Sequence, residues 1–393
     1  MEVFLFIVHL DMRYFFAILS LFLIACTTDK PNPLDQALSS QHPAIAQVMQ
    51  DIDNYEVQII YTRIDTTASG ASLLSEFTFQ LESTNYFYPA STVKFPVAVL
   101  ALERLDQLKQ LSLSSPYVVE GDTLVHSIED DVRQIFAVSD NDAYNRLYEF
   151  LGRDYVNAQL QNKGLQPVRI SHRLATENAA ERKRSSLLFK PNKLDTLFQP
   201  IPTITNTIDS EIRKLSIQKL LKGKGYMRND SLIDEPMDFS KKNYFPLQTQ
   251  HELLKRLFFE DMYPPNQQFQ LSETSKNFLL KAMHTVPRHA GYNETEYYDS
   301  YGKFFIYGDS KEPMPKELKI FNKVGYAYGT LTDTAYIVDE VNNIHFLLSA
   351  TILVNKNGIF NDDVYEYETV GIPFLAQLGR EVYRYEFARK KKN

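Results

Sequence analysis

The sequence predicts an α/β fold of the α+β kind: an antiparallel sheet formed from both chain ends, covered by helices, with an inserted all-α domain. Three observations predict it. Residues 55–64 and 77–81 near the start, and 334–339 and 344–354 near the end, alternate or run apolar with β-branched and aromatic side chains, as strands do. The stretches between them repeat apolar residues at helical spacing. The composition, 44% hydrophobic and 23% charged over 393 residues, is that of a chain long enough to bury the core of one large domain or two intimate ones.

Taken in order, the chain opens with a segment unlike the rest. After Met12-Arg13, which could be the true start, residues 14–25 are apolar except for Ser20, and Thr27-Thr28-Asp29-Lys30-Pro31 follow. A basic start, an apolar core of roughly a dozen residues and a small residue at the cut describe a secretory signal. Leu23-Ile24-Ala25-Cys26 resembles the bacterial lipobox, in which the cysteine is acylated and becomes the mature N-terminus. That resemblance implies a signal peptide over 1–25, a membrane anchor on Cys26 and a cell-envelope location, periplasmic or outer-membrane. Residues 26–40, rich in Thr, Pro, Ser and Asp, read as a tether. Cys26 is the single cysteine, so no internal disulfide forms.

A helix is expected near 44–52, then the strands 55–64 and 77–81 with a Ser/Gly/Ala turn between them. From Ser91 the stretch STVKFPVAVLALERLDQL is apolar almost all round and predicts a central buried helix. Pro96 lies close enough to its start for the missing N–H to cost little. Helical patterns continue to about 160 and return at 251–259 and 275–284, whereas 171–245 is polar and irregular. A strand-like run covers 326–338. The strands 334–339 and 344–354 form a hairpin about Val341-Asn342-Asn343 and carry few charges, so helices should cover at least one face. A last amphipathic helix spans about 370–388. These elements divide the chain into a sheet domain, 41–90 plus 318–393, and a mainly helical domain, 91–317, with 171–245 as an enlarged loop region.

The net charge of −7 argues against a general nucleic-acid partner; the one dense basic run, Arg389-Lys390-Lys391-Lys392, reads as a solvated chain end. None of the histidines stands in an HExxH pattern, and His284 and His289 lack metal-ligand spacing.

Three short motifs carry chemistry. Ser-x-x-Lys occurs at Ser91–Lys94, Ser216–Lys219 and Ser300–Lys303, but only Ser91 opens a buried apolar helix, with Lys94 one turn on along the same face. A serine hydroxyl needs a neighbouring base, and a lysine serves when burial and nearby positive charge lower its pKa. A helix N-terminus also aims free N–H groups at developing negative charge. Ser139-Asp140-Asn141 occurs once and could equally start the helix that follows. Lys323-Val324-Gly325 stands before the strand-like run; Gly325 would let that strand approach a substrate closely. Lys356-Asn357-Gly358 also matches Lys-x-Gly but sits in a turn context.

In this order and context the motifs resemble the signatures of class A β-lactamases and penicillin-binding proteins. Tyr88-Pro89-Ala90, the segment from Gly325 to Gly329 with Asp333, and Phe245-Pro246-Leu247-Gln248-Thr249 extend the resemblance, which covers roughly residues 40–390 apart from 171–245. It implies the β-lactamase/transpeptidase-like fold and an acyl-enzyme on Ser91, with Lys94 as base or base relay. It implies Ser139 beside Lys323 as proton donor to the leaving nitrogen, Asn141 as a hydrogen-bonding residue, and the N–H groups of Ser91 and Tyr326 as oxyanion donors. No metal or organic cofactor is implied. The substrate would be a β-lactam or a cell-wall peptide-like small molecule.

Two departures matter. The family usually has Thr or Ser at Val324, where a hydroxyl helps hold the substrate carboxylate, an interaction worth about 1.5–3 kcal/mol. For the glutamate that activates the deacylating water, the nearest candidate is Glu177, but Glu181 stands four residues on where the family has Asn; a solvated loop is the competing reading. Three functions stay open on these residues: β-lactam hydrolysis, a D-alanyl-D-alanine carboxypeptidase or esterase on the same fold, and a non-catalytic cell-envelope binding lipoprotein.

Overall fold

The computed structural model describes residues 32–190, 197–200 and 208–391; the signal segment and Cys26 lie outside them. Residues from Pro33 onward form one compact unit. Its frame is a five-stranded antiparallel sheet of β1 (Gln58–Thr66), β2 (Ser72–Phe79), β3 (Leu318–Ala327), β4 (Thr330–Asp339) and β5 (Ile344–Leu353), in the order β3-β4-β5-β1-β2. The first and last strands of this sheet along the chain thus meet side by side, with Tyr61 opposite Leu348. The strand-like run at 326–338 is in fact a turn and a second strand, and Lys323 lies inside β3 rather than ahead of it. Tyr328 and Gly329, both at positive φ, close the β3–β4 hairpin, the geometry favoured for two-residue turns.

Side chains alternate between the two faces of the sheet. Ile59, Tyr61, Phe346, Leu348 and Ile352 pack on one side with Phe374, Leu375 and Leu378 of the C-terminal helix Ile372–Lys390. Leu347, on the other side, joins the larger core built around α3 (Lys94–Gln107). Every residue of α3 from Phe95 to Leu102 is essentially inaccessible, and Pro96 sits in its first turn, as its composition requires. Around it pack α4 (Ile128–Val138), α5 (Asn141–Leu151), α6 (Arg153–Asn162), α7 (Leu247–Phe258) and α8 (Glu273–His284). His251 of α7 bridges Thr62 of β1 and Ser349 of β5 through its two ring nitrogens, at 2.7 and 2.8 Å, tying the helical layer to the sheet.

Three expectations are corrected. The tether does not extend to residue 40: Pro33–Leu38 is α1, and with α2 (Pro43–Met49) it packs on the C-terminal helix through fully buried Leu34, Ile45 and Val48. The apolar residues lie at helical spacing within a stretch whose Pro, Ser and Asp suggest a linker. The irregular region 171–245 contributes short strands, among them Leu187–Phe189 and the hairpin Gly225–Arg228 with Ser231–Ile233. Arg389 is not a solvated chain end: its guanidinium holds Asp65 of β1 and Glu386, the latter at 2.6 Å, because the last helical turn still lies on the sheet.

The burial of Leu34 separates a docked helix from a tether. Leu34→Ala is expected to cost about 2–5 kcal/mol in urea denaturation, whereas Leu124→Ala, at a residue 63% exposed, stays within about 0.5 kcal/mol.

Candidate active site

The site forms where the turn before α3, the α4–α5 corner and the edge strand β3 meet. Ala90–Val93 is a 3-10 turn that runs directly into α3. Ala90 takes a left-handed φ of 46°, and Thr92 closes the turn by donating N–H and Oγ1 to the Pro89 carbonyl at 3.1 and 2.7 Å. Ser91 is thereby left half-buried at the cleft floor while Lys94, three residues on, is completely buried.

Ser139 terminates α4 in a left-handed conformation (φ 57°), a strained state for a residue with a side chain. Asp140 then caps α5, its carboxylate accepting the Ala143 N–H at 2.7 Å. The sharp corner projects both Ser139 and Asn141 at Lys94. The Lys94 ammonium donates to the Ser139 carbonyl, to Ser139 Oγ at 3.3 Å and to Asn141 Oδ1 at 2.8 Å. Lys323 Nζ reaches the same Ser139 Oγ at 2.8 Å and the Val324 carbonyl at 2.9 Å. Ser139 and two lysines from three separate segments therefore meet at one corner, with Ser91 one turn before Lys94 and on the cleft beside it. No hydrogen bond joins Ser91 Oγ to Lys94 Nζ in this arrangement; the lysine is turned toward the corner.

Burial pushes the Lys94 pKa down to about 7, partly offset by the carboxylates of Asp140 and Asp142. Lys323 is held well below the ordinary lysine range by burial first, then by the charges of Lys94 and Lys303, with Asp333 acting the other way. Lys303 belongs to a Ser-x-x-Lys match that reads as a loop, yet it is buried. It donates to Asn322 Oδ1 at 2.5 Å and to the Met283 carbonyl at 2.7 Å, while Asn322 Nδ2 donates to Asp333 at 2.8 Å. No signal in the sequence links these three residues except the position of Asn322 beside Lys323.

β3 lies against the Ser91 turn because residue 325 is glycine. A Cβ there would stand 2.6 Å from the Pro89 carbonyl, 2.8 Å from Thr92 N and 2.9 Å from Ser91 N. Beyond this contact opens a cleft of about 410 Å³, lined by Ser91 and Asn141 on its floor and by Tyr88, Tyr326, Tyr328, Tyr365 and Tyr367 around it. Tyr326 is 48% exposed, and Tyr367 accepts the Gly329 N–H at 2.8 Å. The tyrosines at 365 and 367 are residues the motif reading misses, since they come from a loop after the last strand.

Two expectations change here. Val324 is buried in the core between the sheet and the C-terminal helix and does not line the cleft. Glu177 is exposed and also outside the lining. The reason is Arg173, which binds Glu149 and donates to the backbone carbonyls of Asn178, Glu181 and Lys183. This draws the loop backbone inward and turns residues 175–178 to solvent, so that Leu174 and Ala175 face the cleft instead. Among the described residues, no three His, Cys, Asp or Glu side chains are grouped to hold a metal ion, and no helix is long and apolar enough to cross a membrane.

Comparison with known proteins shows the family and the fold. The model of the "Beta-lactamase enzyme family" matches residues 43–385. Among solved structures, a class A β-lactamase representative from Bacteroides cellulosilyticus is similar at 12% identity and a TM-score of 0.50, covering 87% of this chain and 96% of its own. A β-lactamase from Sphaerobacter thermophilus matches at 14% identity and a TM-score of 0.49, covering 90% of this chain and 96% of its own. No curated protein matches in sequence.

The close approach at Gly325 gives a direct test. Gly325→Ala must push β3 off the Ser91 turn and is expected to cost about 1–3 kcal/mol in urea denaturation. Gly302→Ala, whose Cβ would meet only the Phe136 carbonyl at 3.9 Å, is expected to be near neutral.

Proposed function

The chain belongs to the β-lactamase enzyme family, and from that premise we propose that it opens a β-lactam amide through an acyl-enzyme on Ser91. The observation that carries this reading is the convergence of Lys94 and Lys323 on Ser139 beside Ser91.

Ser91 Oγ attacks the carbonyl carbon as its proton passes to Lys94, directly or through a water. A lysine with a pKa of about 7 is half-neutral near neutral pH and can accept that proton, which an ordinary lysine cannot. The oxyanion takes hydrogen bonds from the N–H groups of Ser91 and Tyr326, a reading supported by the close approach of Gly325 to Ser91 N; each such donor is worth roughly 3–4 kcal/mol in the transition state. Ser139 Oγ accepts from both lysines, so its own hydrogen is free to point at the leaving nitrogen. As the carbon–nitrogen bond breaks, Ser139 gives that proton to nitrogen and recovers one from the lysines. Asn141, with Oδ1 fixed on Lys94, keeps its amide N–H groups for the substrate. Water then hydrolyses the ester.

The exposure of Glu177 favours a second reading on the same site. With Glu177 outside the cleft, no base from its loop meets the ester and the acyl-enzyme persists, as in an enzyme working on cell-wall peptide or an ester. Cys26, in its lipobox-like setting, supports placing the protein on the cell envelope through a lipid anchor.

Mass spectrometry after mixing with a penicillin tests the chemistry. An adduct on Ser91, absent in Ser91→Ala, is expected; its loss within seconds alongside cephalosporin turnover means β-lactam hydrolysis, and its persistence means the second reading. No adduct with any β-lactam or acyl ester overturns both. The rate of adduct formation should rise with pH through about 7 as Lys94 loses its proton, then level off. Lys94→Ala should lower it by about 10²–10⁴-fold and remove that limb. Glu177→Gln should leave both acylation and deacylation within about twofold of the parent, as expected of a surface substitution.

A further inference from the structure

A second cavity, of about 360 Å³, lies between α4, α8 and the first residues of β3, and shares no lining residue with the catalytic cleft. Its size is at the small end of the range that binds organic ligands. Its walls are of two kinds. Phe278, Val286, Met314, Leu318 and Ile320 make it apolar. Arg133, Lys281, Arg288, Lys316 and Lys319 bring five cations to it, and no carboxylate lines it. In a chain with a net charge of −7 this concentration runs against the bulk.

The cations are not all neutralised by neighbours. Arg133 pairs with Glu129, Arg288 with Asp299 at 2.9 Å and Lys319 with Glu340 at 2.6 Å, and these carboxylates stand outside the cavity. Lys281 and Lys316, both exposed, have no ion pair among the described residues. The walls are also held in place. Buried Asp299 fixes Arg288 with one oxygen and accepts the Met314 N–H at 2.8 Å with the other, and Arg133 lies over the Phe278 ring at 5.6 Å. An apolar floor with two unpaired ammonium groups at its rim complements a ligand with an apolar body and one anionic end.

We infer that this cavity is a second ligand site, taking a small amphiphilic anion: a carboxylate or phosphate monoester on a short alkyl or aryl body. The site is independent of the chemistry at Ser91. Calorimetric titration of the full chain with octyl phosphate, below its micelle concentration, should show saturable one-to-one binding. Inorganic phosphate lacks the apolar body and octyltrimethylammonium has the wrong charge; each should bind at least about tenfold more weakly. The double variant Lys281→Glu/Lys316→Glu should weaken octyl phosphate by about tenfold or more without changing the urea midpoint or the acylation of Ser91, while Ser91→Ala leaves binding unchanged. Co-sedimentation with phosphatidylglycerol vesicles, reduced in the double variant, would assign the anion to a lipid headgroup; octyl phosphate binding without co-sedimentation would assign it to a free ligand. Octyltrimethylammonium binding as tightly as octyl phosphate, unchanged affinity in the double variant, or no saturable binding overturns the inference.

Discussion

The structure depends on keeping two lysines buried against one serine hydroxyl. Lys94 is fully buried and Lys323 nearly so, and both direct their nitrogens at Ser139 Oγ. An ammonium group removed from water without a carboxylate partner is costly, and the cost is met in part by giving up the proton. No carboxylate forms a hydrogen bond or ion pair with either nitrogen among the described residues; carbonyl, hydroxyl and amide oxygens do so instead. Such neutral partners still accept hydrogen bonds from a neutral amine, though more weakly than from a cation, so they hold the lysines in place without setting a full negative charge against them. A carboxylate at the same distance would raise both pKa values and remove the base.

A second polar cluster sits on the opposite face of β3. Asn322 and Lys323 are consecutive, so their side chains leave the strand on opposite sides. Asn322 points to Lys303 and Asp333, the latter accepting the N–H groups of Phe304 and Phe305 at 3.0 and 3.3 Å. Asp333 is fully buried and carries a raised pKa, burial outweighing these hydrogen bonds. Its negative charge is thereby matched to Lys303 on its own face, and it still acts on Lys323 across the strand in the direction that favours the cation. Lys303 then acts on Lys323 as an added positive charge, in the direction that favours the neutral amine. One edge strand thus carries a carboxylate cluster on one face and Lys323 on the other.

The residues proposed for catalysis stand out in the sequence because their types are rare in those contexts. A serine and a lysine one turn apart at the head of an all-apolar helix have few structural uses, and Ser139-Asp140-Asn141 combines a cap with two extra polar groups. The sheet from both chain ends was legible for the same reason as most sheets: alternation needs only local sequence. What escaped depends on contacts between distant segments. Lys303 reads as loop because its partners, Met283 and Asn322, lie about twenty residues away on either side. Glu177 reads as a possible base because nothing local reveals that Arg173 turns its loop outward. The hairpin at Tyr328-Gly329 is hidden by tyrosines that suit a strand, and α1 by residues that suit a linker.

Val324 shows how a sequence departure changes meaning once the face of the strand is known. As a substituted motif position it suggests a missing hydroxyl in the substrate site. In the fold its side chain points into the apolar core with Ile320 and Leu331, and pairs across the ladder with Asp333. A threonine there would place a hydroxyl in that core beside a carboxylate that already accepts from Asn322, Phe304 and Phe305. The valine is therefore explained by packing, and recognition of the substrate's anionic end has to come from the wall of the cleft. That wall is mostly tyrosine, with Asn361 and the carboxylate of Asp363 also on it, Asn141 on its floor and no lysine or arginine among its lining residues. For the proposed acyl-enzyme chemistry, a cleft of this kind gains more from covering an apolar or aromatic acyl group than from pairing a carboxylate, so the proposal locates selectivity on the acyl side of the substrate.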